Sequence, residues 1–353
     1  VSAATGARLT IDLDALAENY ALMDALAGAA ETAAVVKADG YGLGAAPAAR
    51  RLLAEGARTF FVARLAEGIS LRAALGDAQA EILVLDGLLA EPAIYRDAGL
   101  TPVLNSEDQA RRWLASGAAG GVLQLDTGMN RLGVSLEEAS RLAGDGLVPT
   151  LVMSHLACAS DAAHPMNAAQ LALFNEARAL FPDARASLAN SAGVFLGPDY
   201  HFDLVRPGIA LYGGVSVTGG DPVSLRAVAS LFAPVVQLRE VPPGGAVGYG
   251  ADWIAPRTSR IAIVAAGYAD GVLRAAAAGG FALAGGLPLV GRISMDMLAI
   301  DVTDAPGVEV GQEIELFGDA TSINDLAAAA GTIPYEILTR ISARAERVYL
   351  GAV

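Results

Sequence analysis

The stretch Ala34-Val35-Val36-Lys37-Ala38-Asp39-Gly40-Tyr41-Gly42-Leu43-Gly44 sets a lysine between an apolar run and a glycine-rich turn carrying one tyrosine. A lysine at the end of a buried strand is disfavoured as a cation, and its neutral amine is a nucleophile toward carbonyl compounds. The plainer use of such a lysine is to snorkel out to solvent. Four later segments also concentrate chemistry. Asp126-Thr127-Gly128-Met129-Asn130-Arg131 ends in a cation, and Ser154-His155 joins a hydroxyl to an imidazole. Asn190-Ser191-Ala192-Gly193 offers a second hydroxyl, and Arg206-Pro207-Gly208-Ile209 sets an arginine before backbone donors. Ser191 with the N–H groups of Gly208 and Ile209 would make a phosphate seat. A lysine nucleophile, a phosphate seat and an arginine together point to pyridoxal 5′-phosphate, held as an imine and faced at its ring nitrogen. Each member also has an ordinary structural use: Ser191 as a helix cap, Arg206 in a surface ion pair, His155 as a satisfied core histidine, Arg131 as a bridge between loops.

These residues need a scaffold that brings them to one face. Short apolar runs alternate with helical patterns through the first two-thirds of the chain. Strands are expected at Ala33–Ala38, Thr59–Ala63, Glu81–Leu85, Thr101–Asn105, Gly121–Asp126, Thr150–His155, Ala186–Asn190 and Asp203–Leu211. Helices are expected at Ala45–Glu55, Leu65–Leu75, Pro92–Ala98, Glu107–Ser116, Leu136–Ala143 and Met166–Phe181, with only a weak apolar connection, Ala192–Leu196, before the last strand. This is the strand count of an α/β fold with an N-terminal (β/α)8 TIM barrel, in which function gathers at the carboxyl ends of the strands. No GxGxxG follows a first strand, which argues against a dinucleotide-binding sheet. A helix with the stripe Leu13, Leu16, Tyr20 and Met23 precedes the barrel, and Arg8–Ile11 reads as a strand belonging elsewhere. After about Arg226 short β-rich runs and Gly/Pro turns take over. The expected division is a cofactor-binding barrel at 12–226 and a C-terminal mostly-β domain at 227–353 that takes in the N-terminal strand, 1–11.

Composition narrows the function. The 353 residues carry a net charge of −14, which argues against nucleic acid and anionic membrane surfaces as partners. A single cysteine, Cys158, forbids an internal disulfide, and three histidines show no metal-ligand spacing. No apolar leader and no transmembrane run is visible, so a cytoplasmic location is expected.

Nine blocks then carry a resemblance over nearly the whole chain: the lysine stretch at 34–44, Leu125–Gly133, Ser154–Ala157, Asn190–Gly193, Arg206–Gly213, Val247–Gly250, Gly267–Gly271, Gly291–Asp296 and Pro334–Ile337. In that order they resemble the bacterial alanine racemases, fold-type III pyridoxal phosphate enzymes. The resemblance implies a homodimer with a site shared between subunits, and D-alanine made for peptidoglycan or the L form catabolised. It implies that Lys37 is the cofactor lysine and the base on one face, and that Tyr249 reaches in from a partner subunit as the opposite base. Tyr41, Ser191, Gly208, Ile209 and Tyr335 are implied phosphate contacts. Arg206 is implied at the pyridine nitrogen, with His155 linking it to the tyrosine base. Arg131 and the Met295 backbone would hold the substrate carboxylate, and Tyr268 with Tyr335 would narrow the entrance. A phenol needs neighbouring cations or donors to act as a base near neutrality, which His155 or Arg131 would supply. An arginine does not readily accept a proton, so Arg206 should leave the pyridine nitrogen unprotonated and favour reprotonation over transamination.

One departure stands out. Relatives often carry a carbamylated lysine where this chain has Gln124, and an amide cannot be carbamylated. Arg131 then needs another acceptor, either the Gln124 carbonyl or a bound anion such as chloride. Asn130, where glycine is common, is a smaller departure. The competing functions are a serine or broad-specificity racemase of this fold, a non-catalytic pyridoxal phosphate carrier, a related decarboxylase, and a cofactor-free Schiff-base aldolase. The β domain with Tyr249 argues against the carrier, and Arg206 argues against the decarboxylase.

Overall fold

The computed structural model describes residues 6–118, 120–219 and 223–351. The expected domain limits run beyond these at 1–5 and 352–353, which lie outside the described residues. The first strand, β1 (Arg8–Asp12), leads directly into a helix at Leu13–Ala27, whose Leu13, Leu16, Tyr20 and Met23 are all buried. Tyr20 donates its hydroxyl to Thr32 O at 3.0 Å, tying that helix to the first barrel stave.

That stave has two parts, β2 (Glu31–Thr32) and β3 (Ala34–Val35). It is followed by β4 (Thr59–Val62), β5 (Glu81–Val84), β6 (Thr101–Leu104), β7 (Val122–Gln124), β8 (Leu151–Met153), β9 (Arg185–Ser187) and β10 (Leu204–Val205). From β3 to β9 every neighbour in sequence is a parallel neighbour in space. The ring closes through β10. It pairs in parallel with β2, while Asp203 and Arg206 donate to Ala186 O and Ala189 O at 3.0 and 2.9 Å. Strands covered on both faces read as unbroken apolar runs, and Phe60, Phe61, Val62, Ile82, Leu83 and Val84 are fully buried. Helices at Ala45–Ala54, Leu65–Leu75, Pro92–Asp97, Glu107–Ala115, Leu136–Gly144 and Pro165–Arg178 supply the crossovers. Ser106 and Ser135 cap two of them by accepting from Gln109 N–H and Glu138 N–H.

All eight expected barrel strands stop early, by one to six residues, and the stops of the first and the last matter most. The first was expected to run through Lys37 to Ala38, but pairing ends at Val36, which still donates to Phe61 O at 2.9 Å. Lys37 instead opens a turn, Lys37–Tyr41. The eighth was expected to reach Leu211. It ends before Pro207, which has no N–H to continue a ladder, and the apolar Ile209–Tyr212 that follows is a 3-10 turn.

Leu16–Leu211 with Val215–Leu225 form one compact unit; Tyr212–Gly214, residues 226–351 and the N-terminal residues through Ala15 form another. The second unit is mostly β. Its long strand β11 (Ala229–Val241) pairs antiparallel with β1, which also pairs in parallel with the C-terminal strand at Glu346–Leu350. Arg8–Asp12 thus belongs to this sheet and not to the barrel. Hairpin strands β12 (Ala246–Val247) and β13 (Trp253–Ile254) lie next in the chain. Then come β14 (Ser259–Val264), β15 (Ala282–Leu283), β16 (Leu287–Pro288), β17 (Leu298–Asp301), β18 (Glu313–Phe317) and β19 (Glu346–Leu350). The sheet order is β17-β14-β11-β1-β19, with β18 also on β11. Among the described residues no helix is long and apolar enough to cross a membrane.

Candidate active site

Lys37 sits where the chain turns left-handed. Ala38, Asp39, Gly40 and Tyr41 have φ of 54°, 54°, 61° and 58°. For residues with a Cβ this costs roughly 1–2 kcal/mol each, so the turn needs external support. Gly40 and Gly42 donate to Val36 O and Ala38 O at 2.9 and 2.8 Å, and Asp39 Oδ1 accepts from Ala45 N–H at 2.8 Å. Glu67 Oε1 accepts from Ala38 N–H at 3.0 Å. The Lys37 amine is half-buried and has no ion-pair or hydrogen-bond partner among the described residues. Burial first, then the neighbouring Arg131 and Arg206, pull its pKa below the usual lysine range, against an opposing pull from Glu67 and Asp86.

Arg206 is 4% exposed, which rules out the surface ion pair. Its guanidinium donates to Ser187 Oγ, to Ser154 O at 2.6 Å and to Leu188 O at 3.4 Å. The Ser187 hydroxyl donates to Leu204 O at 2.5 Å, which leaves its oxygen to accept from the arginine. Burial pushes the Arg206 pKa down to about 10, and it stays charged at neutral pH. His155 is half-buried beside Arg206, Arg131 and Lys37; lost solvation and those three cations push its pKa down to about 3. The ring is therefore neutral, and it can assist a phenolic base by hydrogen bonding but not as a cation. Arg206 makes no hydrogen bond to the His155 ring.

A residue not picked out from the sequence joins the loops of Arg131 and His155. Gln170, fully buried, donates from Nε2 to Thr127 Oγ1 at 3.1 Å and to His155 O at 3.0 Å, and accepts from Ala157 N–H at 2.8 Å. The relay has one direction: Thr127 Oγ1 lies 2.8 Å from Ser154 Oγ, which donates to Leu125 O at 2.7 Å. Its only signal in the sequence is a polar residue inside the apolar stripe of a helix. Arg131 itself is exposed and makes no hydrogen bond to Gln124, which is buried.

Ser191 is not the cap of its short helix. Asn190 is, accepting from Gly193 N–H at 2.9 Å. The Ser191 hydroxyl instead accepts from Gly208 N–H at 2.8 Å and from Ala210 N–H at 3.3 Å. Ile209, the expected phosphate contact with Gly208, is buried between these two donors. A Cβ on Gly208 would lie 2.1 Å from the Tyr41 hydroxyl, so only glycine lets the tyrosine approach. Lys37, Tyr41, His155, Ser191, Arg206 and Gly208 thus gather around the carboxyl ends of the barrel strands.

The remaining expected residues lie in the β unit. Tyr249 sits on a 3-10 turn beyond β12 and is 71% exposed. Gly248 and Gly250 flank it at φ 79° and 77°, and Gly250 packs against the Asp252–Arg292 ion pair. Tyr268 and Met295 are exposed and bonded through their backbones: Tyr268 N–H donates to Ser294 O at 3.1 Å and Ala269 N–H to Met295 O at 2.9 Å. Arg344, also missed, holds both segments by pairing with buried Asp270 at 3.3 Å and Asp296 at 2.8 Å. Tyr335 is half-buried on the helix Pro334–Arg340.

Two family models match, the alanine racemase N-terminal domain over residues 11–216 and the alanine racemase C-terminal domain over 228–349. The alanine racemase of Rhizobium meliloti is 48% identical, over 98% of this chain and 97% of that protein. A catabolic alanine racemase of Mesorhizobium japonicum is 46% identical over 99% of this chain and 94% of its own length. Among solved structures, the alanine racemase of Bartonella henselae with covalently bound pyridoxal phosphate superposes with a TM-score of 0.89 at 37% identity, covering 98% of this chain and all (100%) of that one. The fold, the ordered blocks and both family models agree, and the chain belongs to the alanine racemase family.

Proposed function

We propose that the protein interconverts L- and D-alanine using pyridoxal 5′-phosphate, with Lys37 and Tyr249 as the two bases. The observation that carries this reading is the unpartnered, half-buried Lys37 amine, its pKa lowered, within electrostatic reach of Arg131 and Arg206. The residues fit the cofactor. The Ser191 hydroxyl accepts from the Gly208 and Ala210 N–H groups beside Tyr41 and so keeps its own proton to donate to a phosphate, with the Ile209 N–H as a further donor. Arg206 is a buried cation whose hydrogen bonds go to carbonyls and a hydroxyl, leaving its charge for an electron-rich ring nitrogen.

When bound, pyridoxal 5′-phosphate supplies the electron sink that makes the α-hydrogen of an amino acid acidic. The chain does the rest. Arg131 and the Met295 backbone orient the carboxylate. Lys37 moves a proton at one face of the α-carbon, and Tyr249, from a second copy of the chain, moves one at the other. A substrate that never turns over needs a base on each side. The exposure of Tyr249 on its glycine-flanked turn supports a site completed by a homodimer. The working division remains a cofactor-binding barrel at 12–226 and a β domain at 227–353 with the N-terminal strand. A cytoplasmic location is consistent with the single thiol of Cys158.

Chiral analysis of the products from L-alanine and L-serine with purified protein tests this. D-alanine as the main product is expected. Faster turnover of serine would move the activity to the broad-specificity class, and no product from either would end the reading.

A further inference from the structure

We propose that Glu67 is a positioning residue for Lys37: its carboxylate clamps the N–H next to the lysine to the end of the neighbouring barrel strand. The proposal rests on the reading of Lys37 as the cofactor lysine. Glu67 lies in the first turn of the helix Leu65–Leu75, just after β4. Its Oε2 accepts from Ala63 N–H at 2.7 Å and Arg64 N–H at 3.2 Å, where the chain leaves β4. Its Oε1 accepts from Ala38 N–H at 3.0 Å. One half-buried carboxylate thus takes three N–H groups from the exits of two adjacent staves.

The first two bonds are ordinary helix-start capping. The third is not needed for that. It fixes the first residue of a left-handed run in which Ala38, Asp39 and Tyr41 all carry a Cβ at positive φ. Such a run relaxes toward right-handed backbone unless its ends are held. Relaxation at Ala38 would swing the Lys37 side chain away from Arg206 and the Gly208 cradle. Ionised carboxylate oxygens are acceptors only, which suits three donors; a carboxamide would turn its own N–H groups toward one of them. The charge of Glu67 also opposes the cations that depress the Lys37 amine.

The test separates capture by Lys37 from the phosphate seat. Pyridoxamine 5′-phosphate reads the seat alone, because it has no aldehyde for Lys37; pyridoxal 5′-phosphate reads both. In the full chain stripped of cofactor, Glu67→Gln should weaken pyridoxal phosphate at least about tenfold, the scale of a lost charge-assisted bond. It should leave pyridoxamine phosphate within about twofold, and in the loaded enzyme kcat should fall while KM for alanine holds. Glu67→Asp keeps the charge one methylene short of Ala38 and should show a smaller change of the same kind; it carries the comparison if Glu67→Gln does not fold. Parallel weakening of both ligands, or no change in either, overturns the proposal. Borohydride fixation followed by peptide mass analysis of the wild type checks the underlying reading separately: cofactor mass anywhere but on Lys37 would refute that reading before any Glu67 variant is considered.

Discussion

Gly208→Ala is the sharpest probe of the proposed phosphate cradle, because its effect follows from three distances. The new Cβ would lie 2.1 Å from Tyr41 Oη, 3.0 Å from Tyr41 Cζ and 3.5 Å from Val35 Cβ. Gly208 is not in the left-handed region, so the penalty is packing and not backbone strain. Relief requires a shift on the order of 1 Å, by the phenol or by the loop that presents the Gly208 N–H to Ser191. The ring cannot simply swing out: Tyr41 is 5% exposed and rooted in the left-handed turn. Overpacking of this kind costs about 1–3 kcal/mol, or roughly 5- to 150-fold in the dissociation constant of pyridoxal phosphate. Tyr41→Phe removes the atom that clashes, and the nearest ring carbon then sits at a tight but yielding 3.0 Å. In that background Gly208→Ala should be milder by more than about 1 kcal/mol. Fluorescence titration of cofactor into the four proteins of this cycle, with thermal unfolding of each, measures the coupling. Additivity within about 0.3 kcal/mol would refute the reasoning, since the two groups would then not compete for the same space.

If the site is shared between two copies, as proposed, complementation follows. Lys37→Ala and Tyr249→Phe should each be inactive, yet equal amounts unfolded and refolded together should recover about a quarter of wild-type activity, as random pairing gives half hybrids with one intact site each; no recovery would count against a shared site. Because Gln124 cannot be carbamylated, activity should be unchanged on removing carbon dioxide and bicarbonate, whereas a carbamate signal in the wild-type protein would contradict this. Arg206→Glu sets a carboxylate against the carbonyls of Ser154 and Leu188. It should lower stability by about 3–5 kcal/mol and raise pyruvate formation relative to racemisation; an unchanged ratio would remove the assigned role of Arg206. The folded pKa of His155, about 3, lies below its ordinary value, so the unfolded chain takes up the proton first. Stability from the neutral ring is complete above about pH 6.5 and is lost as pH falls toward the folded value. Urea midpoints should therefore drop more steeply on acidification in wild type than in His155→Asn, and parallel curves would disprove it.

The barrel was readable because its staves are apolar on both faces and its crossovers are amphipathic. Strand ends were less readable, since hydrophobicity continues where pairing stops. Val36 is buried but only begins the lysine turn, and Ile209, Ala210 and Leu211 are buried in a 3-10 turn and not in a strand. Pro207 was the available warning. Two helices of the β unit, Ile323–Ala329 and Pro334–Arg340, carry too little periodicity in seven residues to stand out, although Ser322 as a cap and Pro334 at a helix start mark them.

Within the site, legibility followed chemical type. Lys37, Ser191, Arg206 and Gly208 could be singled out because few residues do what they do. Glu67, Gln170 and Arg344 could not, because what each one does is decided by partners far away in the chain. Gln170 reaches Thr127, Ser322 caps a helix two residues on, and only the first of these needs the fold to be visible. Electrostatics shows the same division. A chain of net charge −14 reads as uniformly acidic, yet folding brings Arg131 and Arg206 close enough to Lys37 and His155 to depress both. Glu67 and Asp86 offset this only at Lys37. Such a cluster favours anions, and the ligands proposed for it carry a phosphate and a carboxylate. Their binding should therefore weaken as salt is added, which an overall charge of −14 would not lead one to expect.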